Sequence, residues 1–488
     1  MSAWLLGINV LIHLLLAWLL PLSNDEAYYW DWGQWLQWSY FDHPAGVAWM
    51  TAISSQLAQG TLGARLLAPF FSTLTLAISG KILEEQLGRG RERTRKAQRW
   101  LLILSLTSPG LLAMGSVALP DVGLLLCLQL GLWVSLRLAK KDRLRLSDAL
   151  LWGAVLGAGG LFKYHAFPMG FGLGLGLLSF RWQAHKREPL FYGLGVLAAL
   201  AILAPLWIWN YQHDWASFRF QAAHGFAAGS WSWQWPFQAF VSFTLLLGPF
   251  LFVRGLRSFL ELKEQHWHDP LTRLTLLPVF LLLALIISAA LRKPVLPHWI
   301  LPAFSLALPW LLVYPFAKLS SQKWRGQIFY GSCVALILIV CSQSWVLRSL
   351  ILPRFHGDPG PLTEITVWDP LVPELEDQLS QWESAAAAGP LCESNIPLAA
   401  VRWYAAAQLH VRMPGRPPVF SLQRLPSGFY TLRDQERRKA SCPVAVLLDG
   451  DQRRLQTDMQ DIETLDERKI IVPGHERQSW YLVLGRWR

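Results

Sequence analysis

Between Trp4 and Leu347 the chain repeats one pattern: an apolar run near the length of a membrane crossing, then a short break rich in Lys and Arg. Lipid leaves backbone polar groups nowhere to bond outside the segment, so a crossing segment must be a helix or part of a closed barrel. About 20 apolar residues suffice for one helical crossing. The runs 4–20, 61–80, 100–114, 119–136, 148–162, 164–180, 190–209, 236–253, 274–291, 297–316 and 327–347 predict a polytopic α-helical membrane protein with about 11 transmembrane helices. Charged residues are only 16% of the chain, against about 25% in a soluble domain. The 27 Trp fit the same class, since Trp favours the membrane–water interface.

The basic residues set the orientation. The breaks 81–99, 137–147, 181–189, 254–273 and 317–326 hold 22 of the 28 Lys and Arg found before residue 349. Positively charged loops stay inside, so these breaks, and the N-terminus, are expected on the cytoplasmic side. The loop after the first span, the loop around 210–235 and the C-terminal region then lie outside. The net charge of +11 follows from this bias and calls for no nucleic acid. The first run has no basic leader and no small-residue cleavage site after Pro21, so it reads as a retained span. Segment 45–58 is short and amphipathic, and is expected as a helix lying at the outer interface. Gly153, Gly157, Gly159, Gly160, Gly170, Gly172, Gly174 and Gly176 are the small residues that let helices approach closely in lipid.

From about Ser349 the composition turns soluble. The expected organisation is a membrane domain, 1–348, with its outer loop at 21–60, and an outer domain, 349–488. Residues 370–387 and 396–409 look helical. Leu391, Val419–Leu422, Val444–Leu448 and Tyr481–Leu484 look like strands. Alternation of the two suggests a small α/β domain. Cys392 and Cys442 are its two cysteines; they form either a disulfide, which an oxidising outer face permits, or two buried thiols.

Chemistry gathers on the outer face. Asn24-Asp25-Glu26-Ala27-Tyr28-Tyr29-Trp30 follows the first span, and Tyr40-Phe41-Asp42-His43-Pro44 comes soon after. Leu119-Pro120-Asp121 opens one span; Lys163, Tyr164 and His165 close another. The long outer loop adds His213, Asp214, Arg219 and His224, and the turn near 295 adds Arg292, Lys293 and His298. Ionisable groups at this depth are costly and mark function. Each has a plainer reading: Asn24 or Asp25 as a helix cap, Asp121 as a cap behind Pro120, Lys163 snorkelling to the interface. Two adjacent acids with Asp42 close by, and several cations at headgroup level, favour a site for a phosphate-bearing substrate. The cations would hold phosphate oxygens, leaving a carboxylate as general base. No HExxH or CxxC spacing occurs, so a divalent cation would rest on Asp42 with a distant His such as His224, and that question is left open.

The ordered set of motifs over roughly residues 1–350 resembles the polyprenyl-phosphate-sugar-dependent glycosyltransferases of the GT-C fold. It is similar to the dolichyl-phosphate-mannose–protein mannosyltransferase superfamily and to its bacterial lipid A aminoarabinose transferase branch. The resemblance implies a catalytic role for Asp25, with Glu26 beside it. It places Asp42 and His43 in the family's second motif and gives Asp121 a place in the substrate site. Lys163 would face the donor phosphate, and His224 would match a later-loop His. Lys293 and His298 would belong to a basic turn before the next span, and Arg292 or Lys293 would hold the donor phosphate together with Lys163. The aminoarabinose enzymes carry more spans than the 11 counted here. The implied reaction is a single inverting displacement from a polyprenyl-phosphate sugar donor to a hydroxyl or phosphate of a lipid, glycan or protein acceptor. The implied setting is a bacterial inner (plasma) membrane, with the C-terminal domain periplasmic or extracellular. A flippase or transporter of a lipid-linked sugar is the rival. It would need polar groups near the midplane and commonly two related halves, whereas here the charges gather at one face and no repeat is visible.

Overall fold

The computed structural model describes residues 1–180, 189–226, 231–314, 325–342, 367–386, 396–413, 415, 419–422, 428–430, 443–449, 462–470 and 480–487. Its chain divides into two compact units. One takes residues 1–17, 38–50 and 65–336; the other takes 18–37, 51–64 and 337–488. Segment 21–60 is thus divided between them.

The first unit is helical. Among the described residues, Pro120–Ala139 and Pro270–Ala290 are each long and apolar enough to cross a membrane, and five crossings result if each bent helix pair in the chain counts as one. Several runs that predict one span are two helices. Run 100–114 falls into Glu92–Thr107 and Pro109–Ser116, and run 236–253 into Gln234–Leu247 and Pro249–Leu260, bent by 109°. The cause is local. Proline has no N–H for the preceding turn and pushes the residue before it out of helical geometry. Ser108 is extended at φ −85°, ψ 112°, and Gly248 takes φ 95°, ψ 131°. A count of apolar lengths does not register these breaks.

The hydrophobic core of this unit runs from Leu5 to Val313. Sparse polar ties cross it. Gln129 Nε2 donates to the Ser305 carbonyl at 2.8 Å, Trp310 Nε1 to Thr272 Oγ1 at 3.0 Å, and Trp152 Nε1 to Ser135 Oγ at 2.9 Å. Such bonds join helices that gain little from apolar burial against lipid. The glycine-rich helices pack as their sequence suggests: a Cβ on Gly153 would sit 2.0 Å from the Gly195 carbonyl oxygen.

The second unit holds the acidic helix Asn24–Gln34 and the C-terminal residues. The latter form a five-stranded sheet in the order β2-β1-β3-β5-β4, with β1 Leu398–Ala400, β2 Phe420–Ser421, β3 Pro443–Asp449, β4 Ile462–Ile470 and β5 Trp480–Trp487. β1 runs parallel to β2 and β3, and β5 runs antiparallel to β3 and β4. Helices Trp368–Ala386 and Trp403–Arg412 accompany it, so the small sheet domain expected at the C-terminus is present. Two strands depart from expectation. Leu398–Ala400 was expected as the start of a helix from its Leu and Ala, but it is buried between two parallel neighbours, where packing overrides propensity. β4 reads as polar because it is an exposed edge, and charged edges discourage stray pairing. The expected strand at Leu391 and the pairing of Cys392 with Cys442 fall outside the described residues.

Candidate functional site

In the first unit the structure joins two residues 42 positions apart. Lys163 Nζ lies 2.7 Å from Asp121 Oδ2, and their side chains are 3% and 2% exposed. Lys163 is therefore not snorkelling. Asp121 Oδ1 has no hydrogen-bond partner among the described residues. Water cannot stabilise charges here, so each needs the other.

Local sequence explains the meeting. Pro120 opens its helix, with Leu119 extended at φ −116°, ψ 155°, so Asp121 stands in the first turn, where the helix dipole favours a carboxylate. Lys163 ends the helix Leu146–Phe162 in an extended conformation at φ −156°, ψ 143°. Small residues bring the two ends together. A Cβ on Gly123 would stand 2.2 Å from Phe162 Cε1, and one on Gly46 would stand 2.7 Å from the Leu161 carbonyl oxygen. Leu161, Leu203 and Leu206, with Trp49, Tyr164 and Phe167 against them, make the apolar floor.

Three histidines gather round the pair. His43 sits in a tight turn, closed by a bridge between Ser39 and Pro44 and by Tyr40 N–H donating to the His43 carbonyl at 3.2 Å. Burial, and then the Lys163 charge, pull His43 down to about 3, with Asp121 opposing and His165 and His298 adding to the fall. His165 and His298 also act on Asp121. His298 lies on the 3₁₀ turn Pro297–Ile300, and the ring of its neighbour Trp299 meets His165 edge-on at 5.5 Å. Asp42 is half-buried, and its carbonyl accepts from Gln221 Nε2. Tyr164 and Ser217 share a hydrogen bond next to it. The site is thus a buried cation–carboxylate pair with three histidines round it.

The acidic helix belongs to the second unit. Ser23 caps it, not Asn24 or Asp25. The Glu26 N–H donates to Ser23 Oγ at 3.3 Å, and Ser23 N–H and Oγ–H donate to Glu26 Oε2 at 3.1 and 3.0 Å. This is a capping box, and the pattern Ser-x-x-Glu announces one. Glu26 is fully buried, while Asp25 is exposed on the first turn. Sequence reasoning passed over Asp31. It is 1% exposed, and it accepts from His410 Nδ1 at 2.8 Å and from Tyr430 Oη at 2.6 Å.

Arg292 is exposed and Lys293 half-buried on the turn after Pro270–Ala290; their N–H groups donate to the Ala289 carbonyl at 3.0 and 3.1 Å, and desolvation lowers Lys293. His224 lies in the helix Ala216–Phe226, and its side chain is outside the described residues. Among the described residues no group of three or more His, Cys, Asp and Glu is placed to hold a metal ion.

Residues 42–209 match the family described as dolichyl-phosphate-mannose-protein mannosyltransferase; the stretch contains Asp42, His43, Asp121 and Lys163, and it omits Asp25 and His298. The fold is similar to that of ArnT from Cupriavidus metallidurans solved bound to undecaprenyl phosphate, with TM-score 0.64 and 14% identity over 98% of this chain and 97% of that one. The same protein in its apo state gives TM-score 0.61 and 15% identity over 99% and 97%. No curated protein sequence matches the chain. Both findings agree with the resemblance read from the sequence: the chain is similar to the GT-C mannosyltransferase superfamily near the aminoarabinose transferase branch, and its fold is of that type.

Proposed function

We propose that this chain is a membrane glycosyltransferase that moves a sugar from a polyprenyl-phosphate donor to a hydroxyl or phosphate of an acceptor outside the membrane, by one inverting displacement. The observation that carries the reading is the buried Lys163–Asp121 pair with His43 and His298 around it, in a fold like that of a protein solved with undecaprenyl phosphate. A buried lysine is an apt partner for a phosphate. Asp121 keeps Lys163 aimed until the donor arrives. An apolar cavity of about 680 Å³, lined by Phe240, Phe243, Phe252, Leu276, Phe304 and neighbours, suits part of an isoprenoid tail.

In the displacement, a base, the role the family resemblance gives to Asp25, takes the proton of the attacking hydroxyl, a new bond forms at the anomeric carbon, and the bond to the donor phosphate breaks on the opposite face. The leaving phosphate keeps the electron pair, and Lys163 offsets its growing charge. Holding donor and acceptor in line contributes the rest of the acceleration. Glu26 serves by fixing the helix start that carries Asp25. The acceptor stays open among lipid A, another envelope glycan and a protein.

The test is transfer of radiolabelled sugar from a panel of polyprenyl-phosphate sugars in membranes, comparing wild type with Asp25→Asn. Label passing to lipid, glycan or protein with the wild type alone is expected. Full transfer by Asp25→Asn would refute Asp25 as the base. A lipid-linked sugar that changes leaflet with no label transferred would replace the transferase with a transporter.

A further inference from the structure

We propose that Asp31, His410 and Tyr430 form a lock that fixes the acidic helix Asn24–Gln34 about its own axis, which makes them positioning residues for Asp25. The proposal rests on Asp25 acting as the base. All the groups involved lie in the second unit.

The helix touches Trp403–Arg412 along one stripe. At about 100° per residue, Asn24, Tyr28 and Asp31 share that stripe. Gln408 Nε2 donates to Asn24 Oδ1 at 2.9 Å and to the Leu22 carbonyl at 3.1 Å. The Tyr28 ring lies 4.7 Å from Trp403 and stacks on Tyr430 at 5.8 Å. At the far end His410 Nδ1–H donates to one Asp31 oxygen and Tyr430 Oη–H to the other, with the Trp30 ring edge-on to His410 at 5.2 Å. Aromatic packing alone tolerates a helix that rolls by some tens of degrees. A buried carboxylate does not, because every degree of roll strips donors from a charge that water cannot reach. Asp25 stands about 100° round the helix from Asn24, so a roll of the stripe is a sideways swing of its carboxylate. Misplacement of a reacting group by about 1 Å costs on the order of 100-fold in rate.

The experiment compares the full chain with His410→Leu/Tyr430→Phe, with each single change, and with His410→Asn, whose amide nitrogen can replace the Nδ1 donor. Hydrogen exchange of the amides in 27–34 reports the lock without reference to any reaction. Exchange at least ten times faster in the double variant is expected, with most of the protection recovered in His410→Asn. Transfer assays should show kcat reduced 10- to 100-fold, donor KM within about twofold, and partial recovery in His410→Asn. Unchanged exchange in the double variant would overturn the lock. Faster exchange with kcat unchanged would overturn the positioning role, while loss of transfer in Asp25→Asn kept the base in place. If wild type transfers no sugar at all, the functional reading fails and the exchange measurement still decides the lock.

Discussion

The Asp121–Lys163 pair offers a test that separates holding the fold from performing a reaction. Take Lys163→Met, Asp121→Leu and the two together. Both side chains are nearly fully buried and 2.7 Å apart, so either single change strands a charge away from water. Breaking a buried pair in this way costs about 3–5 kcal/mol. Replacing both partners with apolar groups of similar size is neutral or stabilising by about 1–4 kcal/mol. Unfolding in detergent should therefore rank the double variant at or above wild type and both singles well below it. Activity should not follow that order. If Lys163 holds the donor phosphate, losing it removes a charge-assisted contact of about 2–5 kcal/mol, or about 30- to 4,000-fold in kcat/KM. The stable double variant should stay as inactive as Lys163→Met. Wild-type transfer by the double variant would refute the reasoning and reduce the pair to a structural brace. Singles as stable as wild type would show that water reaches the pair after all.

Gly123→Ala should lower stability by about 1–3 kcal/mol and cut kcat, because its Cβ would press the Phe162 ring beside Lys163; an unaltered kcat and melting temperature would remove the glycine from the site's assembly. His43 gives a pH prediction. Its folded value is held to about 3 from an ordinary 6.5, so between those values the unfolded chain holds a proton that the folded chain refuses, and stability falls as pH drops below 6.5, by at most about 1.4 kcal/mol per pH unit from this group. His43→Gln should flatten thermal stability between pH 6.5 and 4; an identical slope would mean that His43 titrates normally. Glu26→Gln preserves a capping box and should leave transfer within a few-fold, whereas Ser23→Ala should loosen the helix start by about 0.5–2 kcal/mol. Loss of transfer in Glu26→Gln at unchanged stability would return Glu26 to the chemistry.

The membrane body and much of the first unit's cluster could be read from the sequence because their signals are local. Leu119-Pro120-Asp121 and Phe162-Lys163 are element ends, and a charge at an element end in an apolar chain stands out. That the two meet could not be read, since it depends on which helices pack and on glycines whose part is the absence of a side chain. Arg292 and Lys293 drew attention for their charge; Arg292 is exposed and Lys293 half-buried. The Ser23–Glu26 capping signature was visible and was outweighed by the neighbouring acids. Asp31 was missed because its partners are 379 and 399 residues away, and nothing near it in the chain distinguishes it from a solvated helix face.

That separation has a consequence for how the protein comes to exist. The acidic helix leaves the ribosome well before the residues that grip it. At about 5–20 residues per second, the separation of 379 positions from Asp31 to His410 takes about 20–75 s of synthesis. Throughout that interval the helix waits without these two donors. A nascent chain stopped at any point before residue 410 carries the acidic motif and lacks the means to set it, so the order of synthesis itself withholds a finished first loop from incomplete chains.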